Sequence, residues 1–578
     1  MRAAALWSLA LTALSASASL FTPTPTTKTK RWDHGFVTIE NGRFIRNGEP
    51  FSFLGTNAYW LPSLNTEADI NRTVANISAH GIKVIRTWAF NDVDEIPVNG
   101  TWFQLVQNGT TFVNTGSNGL QKLDQVVKAA EVNGVLLILS LTNNWNPRPL
   151  IDNTTVVPVD GSLGRRDVTV GTNNSFPRNF LSNDFGGMDA YVREFGATRQ
   201  HDEFYLNETI VNIFKNYTTQ VVNRYKDSPA ILAWELANDP RCSSSILASN
   251  VCNTTTVTGW HQDVGQHVAS IDPNHLVSSG ASGFQCANCP KLFPLAPAPS
   301  VSATPQRRKR NFKPFSNDRI LADVKESRKK TREVKKRQLL DSGDGIRIRG
   351  RWIATRQSVP SVGTTVGPAF DGSSGVDSQD ILNAPSIGFG SFQLFPDQNN
   401  YSVAGPDPNL PAFNQTVQDG LQFITLQGQI AQQVGKPTVM TAFGLVTQDN
   451  LPFFVPFNST NAPFNNTNPL NATTTVKKRQ ANPAAATAGV SNAQLVDAYS
   501  QWINAAAQAQ LGGAMQYQWG QDGLSSNDGS TVDQNADEST TTPNDNTSGI
   551  TPNDGYQSAP TGDDGVQSVL TDLTSLFG

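Results

Sequence analysis

The chain has 578 residues, a formal net charge of −4 and a hydrophobic content of 38%. It is long enough for one large domain with a second domain or sizeable insertions beside it. The mild acidity argues against nucleic-acid binding and the apolar content against a wholly disordered chain, and no run after the N-terminus reaches the roughly 18 apolar residues of a membrane span.

The first eighteen residues, MRAAALWSLALTALSASA, carry one Arg, then an apolar stretch, then Ala16 and Ala18. They read as a cleavable secretory signal over 1–18. A Thr/Pro/Lys-rich segment, 19–31, follows and ends on the dibasic pair Lys30–Arg31, of the kind a kexin-type protease cuts. Asn-x-Ser/Thr sites recur downstream, among them Asn71, Asn216 and Asn458. They fit a glycosylated surface outside the cell. The expected location is therefore secreted and extracellular, including the cell wall.

Phe36 to Pro50 reads as a hairpin with polar turns. Strand candidates then follow at Phe51–Trp60, Ile82–Phe90, Gly134–Leu141, Ala230–Asn238, Leu276–Gly283, Ile387–Pro396, Pro437–Gly444 and Ala514–Gly520. Helical stretches such as Ile70–His80 and Thr209–Tyr225 alternate with them. That pattern predicts an α/β fold, a (β/α)8 TIM barrel over 36–524 with an N-terminal hairpin. Three segments break it. The interval 296–357 is proline-rich and then basic, with RRKR at Arg307–Arg310 and KKR at Lys335–Arg337. The interval 448–491 is Asn/Thr/Pro-rich with KKR at Lys477–Arg479, and 525–578 is acidic and polar. All three are expected to be disordered insertions or tail, because they hold too little apolar surface to offset the entropy of ordering. The basic runs read either as solvated linkers or as sites where kexin-type cleavage nicks a barrel that stays assembled.

Four cysteines, Cys242, Cys252, Cys286 and Cys289, suit an oxidising compartment. They allow three pairings, of which the local one (242–252, 286–289) is preferred over the others and over a zinc site. No metal motif is evident.

The most informative stretch is AILAWELANDPRC, Ala230 to Cys242. An apolar strand stops on an amide and a carboxylate, Asn238 and Asp239, before the chain-turning Pro240. Strand ends of that kind form the chemical face of a parallel barrel. The stretch resembles the fourth-strand signature of glycoside hydrolase family 5, and especially its fungal endo-β-1,4-mannanases, in which it reads WELANEP. The resemblance covers roughly Phe36–Leu292 and Val366–Leu524. It implies a retaining mechanism with two carboxyl groups about 5–5.5 Å apart, no cofactor, and β-mannan or a related polysaccharide as the partner.

The resemblance also locates five departures. The acid/base position holds Asp239 in place of Glu, and the strand-seven nucleophile position, in KPTVMTAFG, holds Ala442. FQLFP puts Gln393 and Phe395 where the family has His and Tyr, and Tyr517 stands where it has a Trp beneath the sugar. Retained features are Arg86, matching the Arg that hydrogen-bonds the nucleophile, and Asn238, matching the amide that reads a sugar hydroxyl. Tyr59, Trp60, Trp88 and Trp145 offer flat faces for stacking on sugars, or equally for core packing. Glu235 lies on the same strand face as Asp239 but roughly 13 Å deeper, so it reads as a buried structural acid. Asp184, Asp189, Asp202 and Glu203, after strand three, are the acids placed to act as a replacement base. Three functions stay open: a polysaccharide-binding barrel without turnover, an active endo-β-1,4-mannosidase, and a wall-associated precursor processed at its basic runs.

Overall fold

In the computed structural model, residues 35–147, 178–295, 346–348, 351–353, 367–403, 407, 409–459, 489–527, 530–532 and 549–577 are described. The expected signal (1–18), the segment 19–31 and most of the basic interval 296–357 lie outside them. Within that interval, Ile346–Ile348 and Arg351–Ile353 pair as a short antiparallel hairpin.

Eight parallel strands form the centre. In chain order they are β1 (Phe53–Asn57), β2 (Val84–Trp88), β3 (Leu136–Ser140), β4 (Ile231–Glu235), β5 (Leu276–Ser278), β6 (Gly390–Leu394), β7 (Thr438–Phe443) and β8 (Gly513–Gln516). Each neighbours its sequence successor, and β8 pairs back with β1. The last seam, between β5 and β6, closes through a parallel bridge from Ser278 to Phe389 and a 2.9 Å bond from Gly388 N–H to the Val277 carbonyl. The expected TIM barrel is thus the observed one. Seven of the eight strands fall inside the predicted intervals, and β8 begins one residue before its interval, at Gly513.

A principal helix follows each strand: α1 (Glu67–Ala79), α2 (Leu120–Asn133), α3 (Glu208–Tyr225), α4 (Thr254–Ile271), α5 (Ser378–Asn383), α6 (Ala412–Val434), α7 (Asn492–Gln508) and α8 (Val566–Leu573), with shorter helices Met188–Phe195 and Glu203–Leu206 before α3 and Pro368–Asp371 before α5. Their ends follow sequence chemistry. Thr66, Asn207, Asn253, Asp377 and Ser491 cap N-termini by accepting backbone N–H bonds, and Gly134 and Gly435 close C-termini in the left-handed conformation. Among the described residues no helix is long and apolar enough to cross a membrane. The N-terminal hairpin extends to three antiparallel strands, Thr38–Glu40, Arg43–Arg46 and Glu49–Phe51.

Two of the expected insertions need correction. The interval 448–491 is partly built in: Val455 is 2% exposed, and Gln448 N–H donates to the Val490 carbonyl at 3.0 Å. Its residues 460–488 lie outside the description. The tail from 525 does not stay apart either. Residues 549–577 carry α8, whose Val566, Val569 and Leu570 are buried, and a loop with Tyr556 at 2% exposure. The segment is poor in apolar residues, yet most of those it has face inward, Ile550 and Leu576 being exposed. Its acids and amides satisfy its own backbone: Gly555 N–H donates to Asn553 Oδ1, and Val566 N–H to Asp564 Oδ1.

Both disulfides are local, Cys242–Cys252 and Cys286–Cys289, with Cα separations of 5.7 and 5.4 Å. Both abut one turn after the basic interval. A Cβ on Gly372 would lie 2.6 Å from the Cys286 sulfur, and one on Gly375 would lie 2.1 Å from the Cys242 sulfur.

Candidate functional site

The C-terminal ends of β3, β4 and β6 to β8 bring most of the predicted residues to one rim. Asp239 follows β4 in a left-handed backbone conformation, φ 54°, which Asp tolerates better than most residues. Its N–H donates to the Gly280 carbonyl at 2.9 Å. Gly280 has to be glycine, since its φ is +69° and an added Cβ would strike the Ala237 carbonyl oxygen. Asp239 is 2% exposed and both its oxygens are engaged: Trp145 Nε1 donates to Oδ2 at 2.9 Å and Arg241 Nε to Oδ1 at 2.9 Å. The Arg241 guanidinium in turn lies over the rings of Trp145 and Phe284, 5.3 and 4.6 Å from their centroids. Arg241, only two residues beyond Asp239, was not foreseen as part of the site.

Deeper in the barrel, Arg86 and Glu235 form an ion pair that is 1% and 0% exposed. Arg86 Nε donates to Oε2 at 3.0 Å and Nη2 to Oε1 at 2.5 Å. Ser140 Oγ also donates to Glu235, while the remaining Arg86 donors reach Asn57 Oδ1 at 3.1 Å and Asn238 Oδ1 at 2.8 Å. Glu235 is thus the buried structural acid its strand position suggested. Asn238 Oδ1 accepts a second bond from Gln393 Nε2 at 2.8 Å, and its amide donates to Asn143 Oδ1. Three of the predicted residues, Arg86, Asn238 and Gln393, therefore form one network.

Ala442 sits beside Gln393 in the strand register and is 1% exposed. Its methyl group offers no nucleophile and no proton acceptor. The space above β6, β7 and β8 is filled with rings. Phe395 meets Phe457, Tyr517 and Tyr556 edge-on, with centroids 5.0, 5.3 and 5.1 Å away. Tyr59 stacks parallel to Tyr517 at 6.1 Å. Gly444 adjoins this cluster, and a Cβ there would lie 2.7 Å from Tyr556 Cδ1. Tyr517 donates its hydroxyl to Asp554 Oδ2 at 2.7 Å, and Ser182 Oγ donates to the same oxygen. Burial pushes the Asp554 carboxyl up to about 6, against the pull of those two donors. Asp554, Tyr556 and Phe457 were all missed, because they lie in segments read as insertion or tail. Their only signal was aromatic and turn residues (NDGY) inside polar surroundings.

The expected sugar-stacking residues are covered. Tyr59, Trp60, Trp88 and Trp145, and Tyr517 at the position of the family's Trp, are all below 10% exposure, and Trp88 Nε1 donates to the Ser182 carbonyl. None of the four acids named as replacement bases is free. Asp189 accepts from His201 and Ser244, and Asp202 accepts from the backbone and hydroxyl of Ser249. Asp184 caps Asn179 N–H. Glu203 is driven up by desolvation, but the Thr198 hydroxyl and the N–H groups of Thr198, Ala197 and Gln200 outweigh it and hold the carboxyl down at about 2. Among the described residues no group of three or more His, Cys, Asp or Glu is arranged to hold a metal ion.

Fold and rim together define a parallel (β/α)8 barrel with its chemical pole at the strands' C-terminal ends. Residues 34–301 match the family described as GH family 5 beta-mannosidase-like. Mannan endo-1,4-beta-mannosidase F of Aspergillus fumigatus is 37% identical over 268 residues, 45% of this chain and 51% of that protein. Mannan endo-1,4-beta-mannosidase A of Aspergillus aculeatus is 37% identical over 250 residues, 43% of this chain and 54% of that protein. Over this matched region the chain is similar to glycoside hydrolase family 5 proteins of the mannanase type. It spans about half the length of these curated relatives. The fold is shared with the solved endo-1,4-beta-mannanase of Rhizomucor miehei, at TM-score 0.54 and 22% identity over 94% of this chain and 98% of that one.

Proposed function

We propose that this chain is a secreted, glycosylated protein of the mannanase type that engages β-mannan or a related wall polysaccharide without hydrolysing it. The observation that carries this reading is the state of the two catalytic positions. A general acid has to present a proton to the leaving oxygen. Asp239 instead accepts hydrogen bonds on both oxygens, one of them from a guanidinium. A retaining mechanism also needs a second carboxylate to form the glycosyl-enzyme ester, and Ala442 has no group that could. An inverting route needs a general base to activate water, and Asp184, Asp189, Asp202 and Glu203 are each committed to other partners. No cofactor enters the reading. Processing by a kexin-type protease at Arg307–Arg310 belongs to it as a step of maturation.

The test is reducing-sugar release from β-mannan by the purified full chain beside its Asp239→Ala variant. The expected result is no release above a protein-free blank from either, together with retention of the chain on insoluble mannan. Release by the natural chain that Asp239→Ala abolishes would restore Asp239 as a working acid and overturn the proposal.

A further inference from the structure

The rim is covered by the protein's own chain. Residues 454–459 cross the ends of β6 and β8 and lower the Phe457 ring onto them. That ring packs edge-on against Phe395 at 5.0 Å and Tyr517 at 6.1 Å, and tilted against Tyr556 at 6.2 Å. Side-chain amides pin the backbone here. Asn183 Nδ2 donates to the carbonyls of Phe457 and Ser459 at 2.8 and 2.9 Å, and Phe457 N–H donates to Gln398 Oε1 at 2.8 Å. Beneath the strap, Phe395 is 1% and Tyr517 3% exposed.

Two features set this strap apart from ordinary core. Phe457 itself is only half-buried, although three buried rings surround it. Its polar anchors are neutral amide bonds, each worth about 1 kcal/mol net because water or a sugar hydroxyl can replace them. By contrast the rings it covers are fixed by the barrel strands. A flat aromatic surface at the C-terminal pole of a (β/α)8 barrel is suited to stack on the apolar face of a pyranose ring.

We propose that the 456–459 end of this strap is an autoinhibitory contact: Phe457 occupies the aromatic pole in place of a sugar ring, and polysaccharide reaches Tyr517 and Phe395 only when that end lifts, with the buried Phe454 and Val455 staying in place. This rests on the polysaccharide-binding reading above. Binding is then weakened by the fraction of molecules in which the strap is raised.

Three full-length proteins test it: the natural chain, Phe457→Ala, which removes the ring, and Asn183→Ala, which keeps the ring and releases the pin. Hydroxyl-radical footprinting at Tyr517 and Phe395 reports the cover, and calorimetric titration with mannohexaose reports binding. The expected result is several-fold greater labelling of both rings in each variant, with mannohexaose affinity at least tenfold higher. Unchanged labelling in both folded variants overturns the strap. Increased labelling with equal, measurable affinity in all three proteins keeps the cover but overturns the polysaccharide as its competitor, whereas no binding by any of the three overturns the preceding reading.

Discussion

Replacing Asp239 by Ala separates a structural carboxylate from a catalytic one. Catalytic acids are commonly held at some expense to stability, so their removal is often neutral or stabilising. Asp239 is held differently. It is 2% exposed, and Arg241, its ion-pair partner, is 15% exposed. Breaking a fully buried pair by removing one partner costs about 3–5 kcal/mol. Three features of the site lower that figure and two raise it. Arg241 keeps some contact with water and keeps its stacking on Trp145 and Phe284. It also retains a 3.3 Å bond to Asn399. Trp145 Nε1, however, loses its acceptor, and an orphaned buried donor costs about 1–3 kcal/mol. Alanine also tolerates the left-handed backbone at 239 less well than aspartate does. The net expectation is a loss of about 3 kcal/mol, with a double-mutant coupling to Arg241→Ala of about 2 kcal/mol. Guanidinium or thermal unfolding of the four proteins of the cycle measures both quantities. An Asp239→Ala variant as stable as the natural chain, with no coupling to Arg241, would refute the clamp and with it the case for a silenced acid.

Three further outcomes are expected. Replacing Glu235 by Gln should destabilise the barrel by about 3–5 kcal/mol, because Arg86 is left as a charge in the interior; equal denaturation midpoints would count against that. Asp554 is protonated in the folded state up to about pH 6, above the carboxyl's ordinary 3.8. The native protein then holds the extra proton between those values, so stability falls as pH rises through them. An Asp554→Asn variant should therefore match the natural chain near pH 4 and exceed it by on the order of 3 kcal/mol at pH 8, whereas parallel Tm–pH curves would contradict the burial argument. Finally, cleavage at Arg307–Arg310 should leave far-UV and near-UV circular dichroism unchanged. The two pieces should separate on a denaturing gel without reductant, because each disulfide closes before residue 296; a product that stays whole until reduced would be inconsistent with these pairings.

The barrel was legible because its signal is simple. Strands such as ILAWE and LLILS are short apolar runs that stop on polar residues at the rim. Asp239 and Ala442, the positions the family resemblance singles out, lie just past β4 and within β7. The partners of the site residues could not be read in this way. Arg86 reads as a rim arginine, yet it turns inward to Glu235 two strands away, with Ser140 from the strand between them completing the bond set. No periodicity encodes which of several buried polar groups will meet. The tail failed for a different reason. Averaged over 525–578, its composition is that of a solvated chain, and averaging hides Tyr556, Val566, Leu570 and Phe577, each of which is buried. Phe457 was hidden in the same way within an Asn/Pro-rich stretch.

The seam between β5 and β6 bears on how the molecule is born. Among barrel strands consecutive in sequence, β5 and β6 are separated by the longest stretch, residues 279–389, which holds the basic interval. Translation from the N-terminus therefore delivers a five-stranded open sheet well before its closing partners exist. Of its two open edges, β1 and β5, the one at β5, Leu276–Ser278, is only three residues long, and short edges resist pairing with other chains. The half-finished barrel is thus shielded at its β5 edge, and a lengthened or more apolar β5 would be a place to look for aggregation during synthesis.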